Sequence, residues 1–218
     1  MQKRFQLLVF DWDGTLMDSA AAIVASIQAS CEDLGLPIPE RERAAHVIGL
    51  GLKDALSYAV PELPPSDYGR LAERYRHHYL ARDPDIELFP GMREMLAVLK
   101  EKGHLLAVAT GKSRVGLDRV LEATQLKSIF DSSRCADETH SKPHPAMLQE
   151  LMAELMVEPE STLMIGDTAH DLQMALSAGV PALAVSYGAH PKDSLTEFNP
   201  LACIDMPQDL APWLARNA

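Results

Sequence analysis

The passage that most constrains this chain lies near its start, where the apolar run Leu7–Phe10 meets Asp11-Trp12-Asp13-Gly14-Thr15. Four consecutive apolar residues read as a short strand buried on both faces, the kind found in parallel sheets. The polar, glycine-containing stretch Asp11–Ser19 reads as the turn at its carboxyl end. Two carboxylates two residues apart on such a turn can be aimed into one cleft while the strand anchors their backbone. One carboxylate can attack phosphorus as a nucleophile. A second, protonated, can give a proton to the leaving oxygen and later take one from water. The same letters would also suit an Asx-type turn that caps a helix. Their placement after a strand, followed by Thr15-Leu16 and Asp18-Ser19, favours the chemical reading.

Downstream, Ile23, Ile27, Cys31 and Leu34 recur at helical spacing, and Gly35 marks a stop, which predicts a helix over about 20–34. Residues 36–88 show no strand pattern but helix-like pieces near 40–47, 52–59 and 66–82, broken by Pro61, Pro64, Pro65 and Pro84. Beyond Pro90-Gly91 strands alternate with helices. A helix is marked by Met92, Met95, Leu96 and Leu99, then come a strand at Leu105–Ala109 and helices near 114–124 and 145–156. A strand at Leu163–Ile165, a helix near 170–178, a strand at Pro181–Val185, a short strand at Ala202–Ile204 and a helix near 208–216 complete the series. This alternation predicts an α/β fold: a Rossmann-like parallel-sheet core with a small all-helical cap domain inserted after the first strand. Residues 1–17 and 89–218 would form the core and 18–88 the cap.

Ligands of open parallel sheets bind at the carboxyl ends of the strands. Three predicted strand ends carry polar residues: Asp11 and Asp13, Thr110-Gly111, and Gly166-Asp167. Thr110-Gly111 offers a hydroxyl and backbone N–H groups to an anion, or an N-cap shared with Ser113. Lys142-Pro143 precedes a predicted helix, the proline suiting its first turn. Asp167, in Gly166-Asp167-Thr168-Ala169-His170-Asp171, would add a hard oxygen ligand, and acidic residues at neighbouring strand ends would repel one another without a cation.

In that order, DWDGTL at 11–16, Thr110-Gly111, Lys142-Pro143 and the GDTxxD-like run ending at Asp171 resemble the four motifs of the haloacid dehalogenase superfamily. The insertion after the first motif is similar to the helical cap of the phosphoglycolate phosphatase-like subgroup. The resemblance implies a magnesium-dependent phosphatase acting on a small-metabolite phosphomonoester through an aspartyl-phosphate. It implies Asp11 as nucleophile and Asp13 as general acid/base, with Thr110, Gly111 and Lys142 on the phosphoryl oxygens. Mg2+ would be held by Asp11, the backbone carbonyl of Asp13 and Asp167, with Asp171 as a further ligand or its partner. Trp12, where Phe or Leu is more usual, should point away from the phosphate.

Charge and composition narrow the field. A net charge of -11 repels nucleic-acid backbones and anionic membranes, so the expected partner is a small phosphorylated metabolite. The apolar run at the N-terminus is too short for a signal-peptide core, and Cys31, Cys135 and Cys203 show no ligand or disulfide rhythm. A cytoplasmic monomer or homodimer is expected. His77-His78 reads as surface, and Met92, Met95, Met147 and Met152 as core. A metal-free dehalogenase would be expected to lack Asp13, and a mutase to carry a histidine pattern absent from AAAIVAS. A phosphonatase would need a cap lysine, for which Lys53 is the sole candidate between positions 4 and 99. A non-catalytic phosphate-binding member would be expected to lose one of the motif residues. The turn His46–Leu52 and Tyr187-Gly188 are candidate borders of the substrate pocket.

Overall fold

The computed structural model of the chain describes residues 4–218, so residues 1–3 of the expected core segment lie outside the described residues. Six strands form one parallel sheet: β1 (Leu7–Phe10), β2 (Leu105–Thr110), β3 (Ser132–Cys135), β4 (Thr162–Gly166), β5 (Ala182–Val185) and β6 (Cys203–Ile204). Their order across the sheet is β3-β2-β1-β4-β5-β6. The chain builds outward from β1 to β3, then returns to the other side of β1 as β4. That reversal opens a crevice at the carboxyl ends of β1 and β4.

Alternation along β1 serves two apolar layers. Leu8 and Phe10 join Leu106, Val108, Leu163 and Ile165 in one core, while Leu7 and Val9 join Ala107, Ala109 and Met164 in another. Among the described residues the ten α-helices begin with α1 (Ala20–Asp33), α2 (Arg41–His46), α3 (Leu52–Ala59) and α4 (Tyr68–Arg82), all between β1 and β2. α5 (Met92–Glu101), α6 (Arg114–Ala123) and α10 (Pro207–Asn217) cover the first layer, and α7 (Ala146–Leu155) and α8 (Ala169–Ala178) the second. α9 (Lys192–Thr196) lies between β5 and β6.

Helices α1–α4 close an apolar core of their own, with Ile27, Val47, Leu56, Leu71 and Tyr79 buried in it. The two connections to the sheet run side by side. Asp18 N–H donates to Glu87 O and Phe89 N–H to Leu16 O, each at 2.9 Å. Gly35, at φ 63°, takes up the left-handed conformation that ends α1.

Three features depart from the sequence reading. β3 was not expected because Ser-Ser-Arg-Cys lacks an apolar run; it is an edge strand, paired only with β2. Pro143 does not enter a helix: its peptide bond with Lys142 is cis, and α7 begins at Ala146 behind Pro145. α9 was also unforeseen, being a single short turn. Trp12 is fully buried, its Nε1–H 3.2 Å from Met17 Sδ and its ring edge-on to Phe130, in the apolar layer and not in the cleft.

α5 offers a direct check on this layering. Leu96 is fully buried and Val98 is 47% exposed on the same helix. Leu96→Ala should cost about 2–5 kcal/mol in urea unfolding and Val98→Ala less than about 0.5 kcal/mol.

Candidate active site

Sheet register brings the three polar strand ends together, since Phe10 is level with Val108 on one side and Ile165 on the other. Asp11 N–H still donates to Ile165 O at 2.9 Å, which fixes the aspartate to the end of β1. Its Oδ1 accepts from Trp12 N–H at 2.7 Å and lies 2.8 Å from Lys142 Nζ. Oδ2 is buried and has no hydrogen-bond partner among the described residues.

Asp167 is held on both oxygens: Oδ1 accepts from Thr15 Oγ1 and Oδ2 from Ala189 N–H, each at 2.8 Å. Asp171 closes the capping box of α8. Its Oδ2 accepts from Thr168 N–H at 3.1 Å and from the Thr168 hydroxyl at 2.7 Å. Its Oδ1 lies 2.6 Å from Lys142 Nζ. Gly14 and Gly188 pack so tightly here that a Cβ on either would run into the Asp167 carboxylate, and Gly14 also sits at φ 77°. Tyr187 O–H donates to Thr15 O at 3.0 Å and ties this loop to the turn after β1.

Asp11, Asp167, Asp171 and Lys142 are all buried, so three carboxylates face one ammonium. Burial pushes the Asp11 carboxyl well above its usual range; Lys142 opposes the rise, and Asp171 and Asp167 add to it. Asp167 is pushed up to about 7, by burial first and by Asp171 second, against the pull of the Ala189 and Thr15 hydrogen bonds. Burial works against the charge on Lys142, but Asp11 and Asp171 outweigh it and raise its affinity for the proton. One oxygen from each of the three aspartates lies within 4.8 Å of the others. A hard divalent cation fits this donor set: all-oxygen ligands, surplus negative charge and an unpartnered Asp11 oxygen.

Asp13 faces elsewhere. Its Oδ1 accepts from Ser19 Oγ at 2.6 Å and lies 3.0 Å from Lys112 Nζ, so its carboxylate stands outside the three-aspartate cluster. Lys112 Nζ donates to Tyr79 OH at 2.9 Å, joining the core to α4. Thr110 is buried at the end of β2 and its Oγ1 accepts from Lys112 N–H at 3.2 Å. Ser113, not Thr110, caps α6 by accepting from Gly116 N–H at 3.2 Å.

The turn 46–52 lies over these groups. Gly49 faces Thr168 Oγ1 and Asp11 Oδ2, and the carbonyls of Gly49 and Leu50 press on Gly111. One end of the turn is fixed by Gly51 N–H donating to Ser141 Oγ at 2.7 Å. At the other end, His46 O lies 2.8 Å from His170 Nε2 and 3.1 Å from His190 Nε2. His190 Nδ1 accepts from Ala169 N–H at 3.1 Å, so Nε2 carries the proton and donates. Burial lowers His170 and pushes His190 down to about 4. His46, His170 and His190 come within metal-binding distance of one another. Both His190 nitrogens are nevertheless engaged, and the trio acts as a clasp for the turn. Between α1–α4 and the core lies a cavity of about 800 Å3 bordered by Asp13, Gly111, Lys112 and Tyr79.

Of the residues singled out in the sequence, Asp13 and Gly111 border this cavity, Asp11, Lys142, Asp167 and Asp171 meet in the buried cluster, and Thr110 ends β2. Sequence reasoning missed Lys112, Tyr79, Ser19, Ser141 and His190. Lys112, next to Thr110-Gly111, and Ser19, in the run that follows Asp13, carried a signal.

A family model described as haloacid dehalogenase-like hydrolase matches residues 8–185. The chain belongs to that family. It is 38% identical over 206 residues to the protein called Probable phosphatase IndB of Dickeya dadantii, covering 91% of this chain and 89% of the relative. It is 31% identical to a phosphoglycolate phosphatase of Agrobacterium fabrum, covering 95% and 91% of the two chains. The crystal structure of a predicted phosphoglycolate phosphatase from Haemophilus somnus superposes with a TM-score of 0.85 at 25% identity, over 98% of this chain and 99% of the other. Among the described residues no helix is long and apolar enough to cross a membrane.

The raised carboxyl of Asp167 has a thermodynamic consequence. A carboxyl that holds its proton more tightly when folded than when unfolded stabilises the fold below the unfolded value, near 4, and loses that contribution as pH rises through its folded value. With chelator present, the thermal midpoint should therefore fall as pH rises from about 4 to beyond 7. Asp167→Asn, which stays neutral, should fall less over the same pH series measured by calorimetry.

Proposed function

We propose that this chain is a magnesium-dependent phosphatase of small-metabolite phosphomonoesters, of phosphoglycolate or sugar-phosphate type, working through an aspartyl-phosphate on Asp11. The observation that carries the reading is the Asp11 carboxylate, buried at the switch point of the sheet with Oδ2 unpartnered and Lys142 and two further aspartates around it. The family match and the phosphatase relatives support it. Residues 18–88 serve as the cap and residues 1–17 and 89–218 as the catalytic core. The three cysteines are free thiols, consistent with a cytoplasmic enzyme.

In this mechanism Asp11 Oδ2 attacks phosphorus. The bond from phosphorus to the ester oxygen breaks, and that oxygen takes a proton from Asp13. Water then attacks the aspartyl-phosphate as Asp13 takes its proton back, releasing phosphate and restoring Asp11. Thr110, the Gly111 N–H and Lys142 hold the phosphoryl oxygens, and Lys142 keeps positive charge against them throughout. Asp11, the Asp13 carbonyl and Asp167, with Asp171 at hand, would hold Mg2+, which would supply further positive charge for the phosphoryl group. Ser19 fixes the Asp13 carboxylate. The clasped turn 46–52 covers Asp11 and limits access of water.

Purified protein should release phosphate from a panel of small phosphomonoesters with magnesium and lose that activity with chelator. Asp11→Asn should remove turnover, by at least about a thousandfold, with its circular dichroism unchanged. Near-normal activity in that variant would overturn the nucleophile assignment. Asp13→Asn should slow both formation and hydrolysis of the intermediate, read as a smaller burst and a lower steady rate. Wild-type values in both phases would remove Asp13 from the acid/base role.

A further inference from the structure

Three imidazoles from separate parts of the chain meet beside the turn 46–52. His46 ends α2, His170 lies in the first turn of α8, and His190 lies in the loop between β5 and α9. One nitrogen from each ring lies within 4.8 Å of the others, and no carboxylate belongs to the group. The ring centroids are 5.2 Å apart for His46 and His170, 5.0 Å for His46 and His190, and 5.2 Å for His170 and His190. A tetrahedral ion about 2 Å from each ligand nitrogen places three imidazole centroids about 5 Å from one another. The backbone therefore already holds the rings at the separation such an ion requires, and what remains is to aim the nitrogens inward.

The clasp and an ion compete for the same nitrogens. His170 Nε2 and His190 Nε2 face His46 O at 2.8 and 3.1 Å, and His190 Nδ1 accepts from Ala169 N–H at 3.1 Å. To ligate through Nε2, His190 gives up the proton there and takes one at Nδ1, an exchange with solvent that releases no net proton. Ala169 N–H then loses its acceptor, but it opens α8, where an amide without a helical partner can turn to water. The His46 ring has no such conflict, since it packs on Tyr58 at 4.8 Å and makes no hydrogen bond among the described residues. His46 and His170 are partly exposed, which gives an ion a way in.

Donor chemistry sets which ion binds. Imidazoles suit Zn2+, Ni2+ or Cu2+, whereas Mg2+ takes oxygen ligands and keeps several waters. The cluster of Asp11, Asp167 and Asp171 is the opposite case, with oxygen donors alone. We propose that His46, His170 and His190 form a second metal site, selective for Zn2+ or a similar transition ion over Mg2+, which binds in place of the clasp on the turn 46–52. The three imidazoles leave the fourth position to water. An ion bound there frees His46 O and loosens the end of the turn whose Gly49 lies over Asp11.

The test titrates Zn2+ by calorimetry into the full chain, without a histidine tag and in saturating Mg2+. Asp167→Asn serves as the background, so that Zn2+ held by the acidic cluster is told apart, and Asp11→Asn replaces it if that variant does not fold. The background chain should bind one Zn2+. His46→Phe, which keeps a ring against Tyr58, and His170→Gln, which keeps a donor for His46 O, should each weaken binding at least about a hundredfold, as much as losing a group hydrogen-bonded to a ligand can cost. His140→Gln, from the pair His140 and His144 whose rings lie 4.2 Å apart, should leave it unchanged. Zn2+ should also speed amide hydrogen exchange in residues 47–52 of the background chain and not in His46→Phe. No Zn2+ binding in the background chain, undiminished affinity in both His46→Phe and His170→Gln, or affinity lost in His140→Gln would overturn the site. Slower exchange in residues 47–52 with Zn2+ would overturn its competition with the clasp.

Discussion

The site depends on one buried electrostatic arrangement, the Lys142 ammonium between the carboxylates of Asp11 and Asp171 with Asp167 alongside. Burying three carboxylates with a single cation is costly, and it persists because each aspartate is built into something else. Asp11 is an extension of β1, Asp167 is gripped by Thr15 and Ala189, and Asp171 completes the capping box of α8. The remaining negative charge makes a divalent cation the natural complement, and Asp11 Oδ2 is left without a hydrogen-bond partner among the described residues.

Around this centre the molecule divides its tasks. Sheet register aligns the ends of β1, β2 and β4, while the loop before α7 supplies Lys142 and α8 supplies Asp171. The helical insertion contributes no carboxylate to the cluster. Its turn 46–52 is instead fixed at both ends, by Ser141 and by the imidazoles of His170 and His190, so that backbone rather than side chains covers Asp11. Glycine at 49 and 111 permits that close approach, since a Cβ on Gly111 would meet the carbonyls above it.

What was legible in the sequence follows from burial on both sides of the sheet. Leu7–Phe10, Leu105–Ala109 and Leu163–Ile165 are continuous apolar runs, and each ends in polar residues that can only lie at the strand's carboxyl end. β3 carried no such mark because an edge strand keeps partial contact with solvent, and Arg134 within it pairs with Glu150 and Glu154 rather than with the core. Pro143 misled for a different reason. Its ring suits a first helical turn, but here it shapes the loop that delivers Lys142, and Pro145 takes the place before α7.

The sequence by itself determined the α/β alternation and the helical insertion, and it offered Asp11, Asp13, Thr110, Gly111, Lys142, Asp167 and Asp171 as candidates, because period, strand ends and motif order can be read along a chain. Only the tertiary structure decided that Asp13 turns away from the other aspartates toward Lys112, that Tyr79 meets Lys112, and that three histidines separated by up to 144 positions meet at one end of the turn 46–52. Those pairings arise from how the helical insertion packs against the core. Contact between residues far apart in the chain depends on the packed geometry of both parts, which no local pattern encodes.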